Sequence, residues 1–305
     1  VRSSTDVGYA VYAIFAVDAV MVVAALAVAG RLHPRTATRL LTATAVVVAG
    51  SWVAALTVLA AGPVGGLLVA VDLQRWPGSL GIRSPIPDSI EGMALAALAL
   101  TAISVTLATR REARATRQRR ALKRGCADTE LMVVDSPTPM AFALPGRPAR
   151  IVVSTTMLRS LDASDRRVLL AHERAHLRFH HHLYQAAVDL GAAVSPVLIP
   201  LRARVRYSME RWADEESADE LGERRPIARA LVRAGRAATA HPIPSLAFGS
   251  TGVPARVQAL LASQPTDPRW PLLWPATLGA GAIVLVAEAI RDLEHLFELA
   301  IRLSH

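Results

Sequence analysis

The 305-residue sequence predicts a mainly α membrane protein: four transmembrane helices, with a cytoplasmic α+β domain inserted between the third and the fourth. Three observations predict it. Hydrophobic residues make up 52% of the chain and its mean hydropathy is +0.33, more apolar material than a soluble core needs. Long apolar runs alternate with basic segments, as they do where spans meet cytoplasmic loops. From Leu131 the pattern changes to short β-like runs separated by Pro and Gly, followed by polar helical stretches.

Residues 7–30 form an apolar run long enough to cross about 30 Å of hydrocarbon, interrupted only by Asp18. A carboxylate at that depth is costly, so Asp18 is expected to face other helices. The run is too long for a signal-peptide core and lacks a basic leader, so it is read as retained. Arg31, Arg35 and Arg39 mark the next loop as cytoplasmic, and Pro34 breaks the helix there. Residues 40–61 return across the membrane. Gly62–Leu73 reads either as a kinked continuation or as a short re-entrant piece, and an outer loop follows around Trp76. Residues 90–109 are the third span. The fourth, about 272–290, lies in a final segment, 270–305, that Trp270 and Trp274 introduce at the interface. Its tail is expected outside, with no large sensor domain beyond it. This count puts both termini outside a bacterial-type plasma membrane and residues 110–269 in the cytoplasm.

The net charge of +9 could suggest a nucleic-acid partner. Eight basic residues against one Glu, however, sit between Arg110 and Arg124, and the rest of the chain is nearly balanced. Residues 110–130 therefore read as a basic juxtamembrane linker against anionic headgroups, with the bilayer as partner and no direct nucleic-acid binding. Cys126 is the only cysteine, which excludes an internal disulfide and a thiolate metal site.

Within the remaining domain, 131–269, Leu131–Asp135, Met140–Leu144 and Arg150–Ser154 are expected strands. A helix follows, with Asp162 as N-cap and Asp165 in its first turn. That helix carries His172-Glu173-Arg174-Ala175-His176. Histidines four apart stand on one helix face and can direct both imidazoles at one cation. Zinc takes nitrogen ligands at about 2.0–2.1 Å and, in catalytic sites, keeps a position open for water. Glu173 is then placed as the general base. By chance HExxH arises in on the order of one chain per hundred of this length, so context matters.

The context is Ser208-Met209-Glu210-Arg211-Trp212-Ala213-Asp214. Glu210 and Asp214 are four apart, so one could bind the metal while the other orients a ligand histidine. Spacing alone leaves a solvated acidic face open, since Glu215 and Asp219 repeat the interval. His180, His181 and His182 read mainly as the polar end of the metal helix, their angular positions differing from the His172/His176 face. Leu183–Leu201 contains Gln185, Asp189, Pro196 and Pro200 and is expected as a core or membrane-contacting helix rather than a crossing, which would separate His176 from Glu210.

HERAH followed by ERWAD, preceded by Met140–Gly146 and Ile151–Ser154 and followed by Arg256–Leu261, resembles the membrane-embedded gluzincin metallopeptidases of the BlaR/MecR antirepressor family. More distantly it is similar to proteases of the HtpX and CAAX type. The resemblance implies one zinc per chain held by His172, His176 and Glu210, with Asp214 behind a ligand histidine. It implies a substrate strand near Ala141, Phe142, Ala143 and Leu144. It also implies a cytoplasmic protein substrate, a BlaI/MecI-like repressor, cut in a signalling or antibiotic response. The alternatives are an HtpX-like membrane quality-control protease and, from another class, a non-catalytic zinc-containing membrane scaffold or receptor.

Overall fold

The structure is a computed structural model that describes residues 4–60, 88–123, 129–240 and 252–263. Helix α1 (Ser4–Ala29) packs along α2 (Pro34–Leu59), which starts at His33 with Pro34 in its first turn, where a missing N–H costs nothing. Asp18 is buried between them and accepts the Ser51 hydroxyl at 2.7 Å, so it does face a neighbouring helix. Helix α3 (Asp88–Lys123) runs unbroken for 36 residues, about 54 Å at 1.5 Å per residue. The basic segment from Arg110 to Lys123 is thus a continuation of that helix.

Among the described residues two helices are long and apolar enough to cross a membrane, Pro34–Leu59 and Ser89–Arg119; α1 adds a shorter apolar stretch, Ala13–Ala29. Two of the four expected spans are among these helices. The expected fourth span, the 62–73 segment and Cys126 lie outside the described residues.

The mixed α/β part begins with β1 (Leu131–Val134), β2 (Ala141–Leu144) and β3 (Arg150–Ser154) in the order β1-β3-β2. β3 pairs parallel with β1 and antiparallel with β2, and Ala143 stands opposite Ile151. Period-two alternation sends Ile151 and Val153 to one core and Val152 to a small cluster with Met132 and Leu144 on the other face. Ser154 caps the short α4 (Thr155–Ser160), and Asp162 caps α5 (Ala163–Arg178) by accepting the Asp165 N–H at 2.8 Å. α5 buries Val168 and Leu169 against the sheet, α8 (Arg224–Ala240) and α9 (Val253–Leu261).

After α5 the chain turns into α6 (His181–Val194), passes a single 3-10 turn at Pro196–Leu198, and returns as α7 (Ile199–Leu221), which stops at Gly222 in a left-handed conformation. This helical hairpin is the join between the two parts of the molecule. Val188, Leu198, Leu201, Val205 and Met209 share one core with Met21, Leu41, Ala45 and Val48 of α1 and α2. At its tip the Thr101 hydroxyl of α3 donates to the Val194 carbonyl, and a Cβ on Gly191 would come within 3.6 Å of the Ala45 backbone oxygen. Leu183, Leu190 and Ile199 are exposed on its other side. The segment Leu183–Leu201 is therefore part of a packed hairpin, and α7 emerges from the apolar core at Met209, one residue before Glu210.

Candidate metal centre

α5 sets His172 and His176 one turn apart on the face turned toward α7, and the return of the hairpin brings Glu210 over them. The three offered atoms form a small triangle. His172 Nε2 and His176 Nε2 are 3.1 Å apart, and each lies 3.5 Å from a Glu210 carboxylate oxygen. Two atoms about 2.05 Å from a tetrahedral zinc would be about 3.3 Å apart, so these spacings suit one zinc ion, the two 3.5 Å separations running to different Glu210 oxygens, Oε2 from His172 and Oε1 from His176. One ligand atom from each residue lies within 4.8 Å of the others. The His172 side chain is buried, whereas 17% of His176 and 20% of Glu210 remains exposed, so the centre opens on that side.

Asp214, one turn beyond Glu210, places Oδ1 3.1 Å from His172 Nδ1, the ring nitrogen that faces away from the triangle. The carboxylate pair is held by a residue for which the sequence reading assigned no role. Arg256 of α9, fully buried, donates from Nε and Nη2 to the two Asp214 oxygens at 2.7 and 2.6 Å, and from Nη1 to Glu210 at 3.0 Å. The motif containing Arg256 was visible, but nothing in the spacing of a lone arginine on a short helix points to carboxylates 42 and 46 positions earlier.

Electrostatics follow from this packing. Burial works to lower the His172 pKa, but Asp214 and Glu210 carry it up to about 9. Burial takes His176 down to about 4. Burial would raise Asp214 and Glu210, yet Arg256 and His172 hold both carboxyls below their ordinary range. Glu173 is buried, and desolvation pushes it up to about 7.

His181 corrects the reading of the three histidines as a polar helix end. It is buried, with Nδ1 2.7 Å from His176 Nδ1. The angular argument assumed an unbroken helix, but His180 adopts a left-handed conformation at φ 53° and restarts the chain, which swings His181 back toward the centre. His180 stays exposed, as expected.

Comparison with known proteins agrees with this geometry. Residues 106–239 match peptidase family M48. Neither the curated proteins nor the solved structures yield a match. The matched segment contains His172, Glu173, His176 and Glu210, and the His-His-Glu cluster within it is a zinc metallopeptidase active site of the gluzincin type.

Proposed function

We propose that this chain is a membrane-bound zinc endopeptidase working at the cytoplasmic membrane face, a signalling protease that cuts a BlaI/MecI-like repressor. The observation that carries the catalytic part is the placement of Glu173: a buried carboxyl adjacent to His172 on the helix that bears both ligand histidines. When bound, zinc supplies Lewis-acid polarisation of the scissile carbonyl and acidifies a water near neutral pH. Glu173, on the same helix as both ligand histidines, is suited to take a proton at its carboxylate and return it to the leaving amine. Asp214 orients His172, and Ala141, Phe142, Ala143 and Leu144 supply the strand along which an extended substrate lies.

The membrane position is supported by the apolar helices and by Arg35 and Arg39 of α2, whose guanidinium groups lie 5.7 and 5.9 Å from the Trp212 ring on the ligand helix. Basic residues at the end of a span belong to the cytoplasmic side, which supports a centre at that boundary. This reading keeps four spans, a cytoplasmic domain from 131 to 269 and both termini outside. A second reading, an HtpX-like quality-control protease, is favoured by the match to family M48.

The deciding experiment pairs zinc stoichiometry with proteolysis of a candidate repressor, wild type against Glu173→Gln, in lipid or detergent. The expected result is one zinc in each and a cutting rate about 10²–10⁴-fold lower in the variant. A single repressor cut supports the signalling reading, and broad cutting of misfolded membrane proteins supports the second. No zinc in either protein overturns both.

A further inference from the structure

The two ligand histidines both need their outer nitrogen fixed. A neutral imidazole that presents Nε2 to a metal carries its hydrogen on Nδ1, and an acceptor there determines the tautomer and the ring orientation. Asp214 fills that place for His172. For His176 the group at that place is His181, Nδ1 to Nδ1 at 2.7 Å. With His176 Nδ1–H donating, His181 Nδ1 accepts, and the His181 hydrogen sits on Nε2.

The surroundings are built around this contact. His181 is 3% exposed, and its Nε2 has no hydrogen-bond partner among the described residues. The ring meets His176 edge-on at 4.7 Å and lies 4.7 Å from Trp212, with Phe179 stacked at 6.3 Å. Trp212 is itself fixed, its Nε1–H donating to Glu216 at 2.9 Å. The turn that delivers His181 passes through His180, the one non-glycine residue with positive φ among those described. Left-handed backbone is unfavourable for such a residue and persists where the surroundings require it.

We propose that His181 is a positioning residue of the metal centre: by accepting the His176 Nδ1 hydrogen it fixes the tautomer that turns Nε2 toward zinc. The inference rests on the zinc peptidase reading. It assigns unlike supports to the two ligands, an anion behind His172 and a neutral ring behind His176, so the second support adds no charge to a centre already holding Glu210 and Asp214.

The test uses the full-length protein in detergent, measuring the zinc dissociation constant by chelator competition and the visible spectrum of the cobalt-substituted protein. His181→Phe keeps ring packing without an acceptor, His181→Leu removes both, and His181→Asn retains an acceptor where Nδ1 stood. The expected result is zinc binding about 10–100-fold weaker in the Phe and Leu variants, with an altered cobalt spectrum, and recovery of most of that loss in Asn. Circular dichroism identifies the variants that fold, and a folded Phe or Leu variant suffices to compare with Asn. Wild-type affinity and an unchanged spectrum in Phe or Leu would overturn the proposal, as would an equal loss in a folded Asn variant. Absence of zinc from the wild type would instead bring down the parent reading, and this inference with it.

Discussion

The two sides of the metal centre hold equivalent nitrogen atoms by different means. On the His172 side, a carboxylate, a second carboxylate and an arginine from a distant helix form a buried charged cluster. On the His176 side, the neutral His181 imidazole meets His176 edge-on and packs against Trp212 and Phe179 at 4.7 and 6.3 Å, with Arg35 and Arg39 over the Trp212 ring. The first arrangement is strong only while every charge keeps its partner, because one orphaned charge in a dry site costs more than the pair contributes. The second depends on shape and on both imidazoles staying neutral, since burial disfavours their charged forms. A site can thus be rigid on one side through electrostatics and on the other through packing.

The largest effect should come from breaking the charged side at its hub. Arg256→Met leaves Asp214 and Glu210 buried without their cation, and the expected loss is about 3–5 kcal/mol of unfolding free energy. Denaturation with chelator present would measure it, and the pH dependence sharpens it. Glu210 and Asp214 have depressed pKa values, so their contribution is full above the ordinary carboxyl range and is lost as pH falls. His172 is raised to about 9 from 6.5, so its contribution is full below 6.5 and is lost as pH rises through 9. In chelated wild type the charged cluster should therefore contribute in full between about pH 4.5 and 6.5. The gap to Arg256→Met should narrow progressively below pH 4, as the carboxyls of the unfolded chain take up protons that Arg256 keeps off the folded ones. An equal gap at every pH would mean that Arg256 acts through packing alone.

A smaller effect is expected from Asp214→Asn, which keeps an acceptor behind His172 and removes its charge. Zinc affinity should fall about 10–100-fold, whereas His181→Asn, which exchanges one neutral acceptor for another, should change it far less. Equal losses would erase the distinction between the two sides. The smallest effect belongs to Arg174, which lies inside the motif but points away to Glu130 at 2.7 Å, both side chains about half exposed. Arg174→Ala should alter stability by no more than about 0.5 kcal/mol in thermal unfolding. A larger change would reveal a third support for the centre.

The parts of this site legible in the sequence are those set by local periodicity. His172 and His176 share a face because a helix repeats every 3.6 residues, and Asp162 announces where that helix begins. The same rule placed Glu210 and Asp214 on one face but could not say which would reach the metal; that depends on how the hairpin folds back, a tertiary fact. Arg256 was illegible for the same reason. His181 was hidden by a backbone event, since a left-handed histidine has no compositional signal, unlike the glycine that ends α7. Three strands were readable from alternation, but not their order, which makes β2 a margin of the sheet.

That margin has a consequence for what can be cut. Among the described residues β2 has a single strand neighbour, β3, so a polypeptide docking beside it does so by lending its own backbone N–H and C=O groups. A helical or sheet-bound segment of a target has already committed those groups. With β2 as the receiving strand, folded targets are cut only where they fray or carry a linker, and the lifetime of a target then follows its own local unfolding equilibrium as much as the chemistry at the zinc.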